Sequence, residues 1–87
     1  MGRRHEVLRA WISENFNPMA RVHINQYIPD FMLRRLFERS QEGFPVNQDE
    51  FVAAMNEAGF NSRQTRNKDW VFNISDAEYR KALRRSK

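Results

Sequence analysis

Between Phe60 and Trp70 the chain runs through nine residues, Asn-Ser-Arg-Gln-Thr-Arg-Asn-Lys-Asp, none of which can be buried cheaply. Directly after them Trp70, Phe72 and Ile74 alternate with Val71 and Asn73, the period of a strand with one face in a core. Directly before them Gly59 and Phe60 close an apolar stripe at helical spacing. The second half of the chain is therefore a helix, a polar excursion and a returning aromatic strand. The segment from about Asn61 to Ser75 reads as two strands and a tip that stays in water. At 87 residues there is room for one such core, so a single domain over 1–87 is expected.

The remaining elements follow from spacing and caps. Val7, Leu8, Trp11, Ile12 and Phe16 form one stripe, which predicts a helix from about Arg3 to Phe16, stopped by Asn17 and Pro18. Val22 and Ile24 alternate with Arg21, His23 and Asn25, which predicts a short half-buried strand over 20–25. Pro29 and Asp30 open a second helix, in which Phe31, Leu33, Leu36 and Phe37 are apolar and Gly43 is the stop. Asn47 caps a third helix, with Glu50 as the reciprocal partner of a capping box. Phe51, Ala54, Met55 and Ala58 are its buried stripe. Ser75-Asp76-Ala77-Glu78 starts a last helix over about 76–87, with Tyr79 and Leu83 as its inward residues. The expected class is mainly α with a small β-hairpin (α+β). A core over about 3–75 carries an extra, basic C-terminal helix.

Charge is placed unevenly. The net charge is +4, yet residues 1–59 carry seven basic and eight acidic side chains, whereas residues 60–87 carry eight basic and three acidic. A basic third on a near-neutral body points to a polyanion partner for that third. Twelve of the fifteen basic residues are Arg, whose planar fork donates to phosphates and base edges bidentately. A solubilising charged surface is the plain alternative.

Other chemistries find little support. There is no cysteine, which excludes a disulfide scaffold, a Cys-ligated zinc site and a thiol nucleophile. His5 and His23 have no third ligand at zinc-site spacing. A calcium loop around Gly43 would begin at Glu38 and end at Asp49, where the pattern needs Asp and Glu. No glycine-rich phosphate cradle or nucleophile elbow is present, so no enzyme, cofactor or metal is expected. Trp11 and Trp70 lie on apolar stripes and are read as core. Met-Gly-Arg-Arg-His-Glu at the start lacks an apolar stretch, and no apolar run approaches a membrane span. A cytoplasmic address is expected.

The stretch from Val22 to Ile74 resembles the small winged-helix domain at the C-terminal end of phage and plasmid primase–helicases, the group related to the poxvirus-type enzymes. The matching features are the aromatic, charged helix ending near Gly43, then Pro45 and the capped Asn47-Gln48-Asp49-Glu50-Phe51. Met55, Gly59-Phe60, a basic linker and the Trp-x-Phe-x-Ile strand follow. The resemblance implies a winged helix-turn-helix that binds nucleic acid as an accessory domain, in replication or regulation of a mobile element. Arg63, Arg66 and Lys68 are the expected phosphate contacts of the wing, and Asn61, Gln64 and Asn67 its candidates for base edges in a minor groove. Gln48 and Asn56 are the candidates for major-groove contacts, and Arg80, Arg84 and Arg85 for further phosphates. The chain departs from the family in its acidic third helix, where Asp49, Glu50 and Glu57 would be repelled by DNA. That departure favours an alternative role, a module docking on a larger replication or phage-encoded protein.

Overall fold

A computed structural model describes residues 3–85. The elements run α1 (Arg3–Asn15), β1 (Asn25–Pro29), α2 (Asp30–Arg39), α3 (Gln48–Glu57), β2 (Ser62–Gln64), β3 (Trp70–Phe72) and α4 (Asp76–Arg85). The three strands make one antiparallel sheet in the order β1-β3-β2. Ser62, Arg63 and Gln64 pair with Phe72, Val71 and Trp70. The architecture is a small α+β fold. Lys87, part of the basic third, lies outside the described residues.

The core is built from the stripes. Leu8 and Ile12 of α1, Leu33 and Phe37 of α2, Phe51 and Met55 of α3, and Phe72 and Ile74 are all fully buried. Phe51 meets Phe72 edge to face at 6.2 Å between ring centroids, and Trp11 meets Phe37 at 5.3 Å. Such pairs add to the area they remove from water.

Helix ends follow the caps. The Asn47 side chain accepts from Glu50 N at 2.8 Å. At the other end Gly59 takes φ +98, Phe60 N donates to Met55 O and Gly59 N to Asn56 O. That is a Schellman stop with glycine at the left-handed position. The α2 helix ends four residues before Gly43, because the Ser40 hydroxyl and amide both turn onto Phe37 O. Gly43 instead marks a close return of the connector. A Cβ there would sit 1.9 Å from Phe37 O.

Three further expectations fail. The first strand is Asn25–Pro29 rather than 20–25, and Val22 is 80 % exposed. Its inward residues are Asn25 and Ile28, three apart across an irregular register, which breaks the period of two. Asn25 is tolerated inside because Nδ2 donates to Ile74 O and Asp76 Oδ1 while Oδ1 accepts from Tyr27 N. The 17–24 segment is pinned separately, by Asn73 Nδ2 donating to Pro18 O and Arg21 O. In α4 the buried residue is Ala82, not Leu83, which turns outward. The Ser75 hydroxyl accepts from Glu78 N, but the Glu78 carboxylate receives Asn17 N instead of closing the capping box.

Candidate nucleic-acid interface

The β2–β3 hairpin closes through a three-residue loop, Arg66-Asn67-Lys68. Thr65 N donates to Asp69 O at 2.7 Å and Lys68 N to Thr65 O at 3.0 Å. The Thr65 hydroxyl also accepts from Asp69 N. Lys68 takes φ +67 and is the one non-glycine residue with positive φ among those described. A type I turn followed by a left-handed residue is a standard hairpin of this length. The exposed residues along it are Asn61, Arg63, Gln64, Arg66, Asn67 and Lys68.

A buried carboxylate fixes this hairpin to the body. Asp30, the first residue of α2, is fully buried. Its Oδ1 accepts from Trp70 N at 2.8 Å and from Gln48 Nε2 at 3.2 Å, and its Oδ2 accepts from Arg34 Nε at 3.0 Å. Gln48 Nε2 also donates to Lys68 O at 3.0 Å. The N-termini of α2 and α3 and the hairpin tip are thereby joined. Gln48 is a latch, its amide N–H groups already engaged, rather than a free reader of bases.

At the far end of α3 the Asn56 side chain accepts from the Ser62 hydroxyl at 3.0 Å. The hairpin is therefore tied to both ends of α3, its tip to the helix start and its base to the helix end. Asp49, Ala53 and Asn56 are the exposed residues of α3 beside it.

The acidic character of α3 is largely offset from within. Arg4 Nη2 lies 3.8 Å from Glu50 Oε1. His5 Nε2 and Arg9 Nη1 converge on Glu57 Oε1 at 2.8 and 2.9 Å. Asp49 alone of the three has no ion pair among the described residues. The hydrogen bond from His5 is the largest influence and holds the Glu57 carboxyl below its usual range; desolvation opposes it, and the charge of His5 and the hydrogen bond and charge of Arg9 add to the lowering. A carboxyl more acidic in the folded chain stabilises it above the unfolded pKa and stops doing so as pH falls through the folded value. We expect Glu57→Gln to lower the melting temperature at pH 7, and the difference from wild type to narrow at acid pH as the Glu57 carboxyl becomes protonated. Thermal unfolding at neutral and at acid pH checks this.

The cations of α4 stand apart from this surface. Arg85 Nη1 reaches Asn15 Oδ1 at 3.4 Å. Arg85 and Ala82 line a cleft with Trp11 and Glu14 of α1 and Leu36 and Arg39 of α2. The end of this helix that bears Ala82 and Arg85 is docked on the C-terminal ends of α1 and α2, whereas the hairpin tip sits at the N-terminal end of α2, about 15 Å away along that ten-residue helix. Arg80 and Arg84 are exposed on it. The hairpin and α3 are brought together, and the Arg80, Arg84 and Arg85 group is not brought to them.

Sequence reasoning missed Asp30, Arg4, His5 and Arg9. Only the spacing of Asp30 and Arg34 hinted at a pair. Among the described residues no group of three or more His, Asp or Glu side chains could hold a metal ion, and no helix is long and apolar enough to cross a membrane. No protein family, curated protein or solved structure matches the chain.

Proposed function

We propose that the chain is a winged-helix domain that binds DNA, without catalysis, through the β2–β3 hairpin and the exposed face of α3. The element order through β3 and the sheet order β1-β3-β2 are what a winged helix requires. One observation carries the reading: a hairpin bearing Arg63, Arg66 and Lys68 is tied at its tip and its base to a helix whose Glu50 and Glu57 are engaged by Arg4 and Arg9 of α1. Phosphates would fall to the three cations, and base edges to Asn61, Gln64, Asn67 and Asn56. The likeness to primase–helicase accessory domains extends the proposal to replication or regulation of a phage or plasmid, in the cytoplasm.

The test is fluorescence anisotropy with a labelled random 20-base-pair duplex and with its single strand. Three phosphate contacts predict a slope of log affinity against log salt of roughly −3. No binding at low salt would remove the DNA reading. Met19, Val22 and Tyr27, exposed by 85 %, 80 % and 76 %, favour the second reading, docking on a protein. Such docking would vary little with salt.

A further inference from the structure

Lys68 occupies the position at which a three-residue hairpin loop takes glycine. The bond from Lys68 N to Thr65 O, with Arg66 and Asn67 at negative φ, makes residues 65–68 a type I turn. The residue after the central pair must then turn left-handed, where a side chain clashes with its own backbone and glycine does not. Lysine is not among the residues that tolerate this conformation well. The surroundings hold it there regardless. Gln48 Nε2 grips Lys68 O, and Gln48 is itself held by the buried Asp30, which also takes Trp70 N on the other side of the turn. Arg63 and Arg66 carry no such penalty, since a strand and the centre of a type I turn accept most residues. The Lys68 side chain is exposed, and no carboxylate pairs with it among the described residues.

We propose that Lys68 is the anchoring cation of the hairpin, a lysine whose backbone is kept in a glycine conformation by the Asp30–Gln48 latch, so that its stem leaves the hairpin from a fixed point beside the start of α3 and its ammonium reaches a phosphate there. This rests on the nucleic-acid reading and names its dominant contact. Strain retained at one exposed position, with the backbone there over-determined by a buried latch, is the pattern of a site that places a side chain. The latch residues act through Lys68 and touch no ligand themselves.

The consequence is an opposition of stability and binding that no merely structural loop residue would give. In the full chain, Lys68→Gly should raise the melting temperature by about 2–5 °C, by relieving the left-handed strain. The same variant should weaken binding to the 20-base-pair duplex about fivefold and reduce the salt slope by about 1. Lys68→Arg, which keeps the charge, should bind within about twofold of wild type, and Arg66→Ala should lose less than Lys68→Gly. Unchanged affinity in Lys68→Gly, with wild type binding normally, overturns the proposal and leaves the DNA reading intact. A lower melting temperature together with lost affinity also overturns it, since the residue would then serve the turn alone. A wild-type chain that binds neither duplex nor single strand overturns both.

Discussion

Asp30→Ala should cost the folded chain about 3–5 kcal/mol, because it removes a buried acceptor from three donors at once. The carboxylate is fully buried and receives Trp70 N, Gln48 Nε2 and Arg34 Nε. Without it the Trp70 amide loses its partner, and the guanidinium of Arg34, only a quarter exposed, loses its counter-charge. A domain of this size has a total stability of roughly 5–10 kcal/mol, so the variant should be close to unfolding at 37 °C. A melting temperature lower by about 15–30 °C follows, at roughly 4–8 °C per kcal/mol for a small domain. Asp30→Asn keeps an oxygen for Trp70 N but no charge for Arg34, and should fall between the two. Urea unfolding followed by tryptophan fluorescence decides the matter. A loss under about 1 kcal/mol for Asp30→Ala would mean that water replaces the carboxylate and that the latch does not hold the hairpin.

Asp30 also marks the limit of what could be read from the chain. Much of what local periodicity or a cap governs was legible: the stripe of α3, its Asn47 cap, its Gly59-Phe60 stop, and the polar hairpin before Trp70; the α2 stop, the α4 capping box and the inward face of α4 were not. Each legible feature depends on residues within a few positions of one another. Most of what escaped depends on residues far apart. Asn25 and Asn73 read as the off-core positions of alternating strands, yet both are buried because backbone carbonyls some fifty positions away accept from them. Spacing cannot announce such partners. The short alternation Val22-His23-Ile24 misled for the same reason. Period two over a few residues also fits a loop, and the true strand carries an irregularity that disguises its period. The acidic α3 is the most instructive case. As sequence it argued against DNA, since Glu50 and Glu57 belong to a helix with no cation of its own. Arg4 and Arg9 offset those charges from another helix, at separations of 46 and 48 residues, and His5, 52 residues away, adds a hydrogen bond to Glu57.

Alanine at Arg63, Arg66 and Lys68 together should lower affinity for the duplex on the order of 10²-fold at 0.1 M salt and flatten the salt slope by about 2.7. The three are exposed and have no ion pair among the described residues, so their removal leaves no buried charge uncompensated. The melting temperature should stay close to wild type, since alanine at position 68 carries the same left-handed strain as the lysine it replaces. The informative control is the matching triple at Arg80, Arg84 and Arg85. Composition alone makes the two groups equivalent, since both belong to the basic third of the chain. Geometry separates them, because Arg85 is tied to Asn15 and its end of α4 is docked on the ends of α1 and α2 remote from the hairpin tip. Beyond a Debye length of about 10 Å at 0.1 M salt, cations act weakly on a phosphate held elsewhere. The α4 triple should therefore change affinity by less than about fivefold and the slope by less than 1. Equal losses from both triples would mean that binding reads net charge rather than a surface, as a solubilising basic tail would. A loss confined to the α4 triple would move the interface to the opposite end of α2 and leave the hairpin as structure alone.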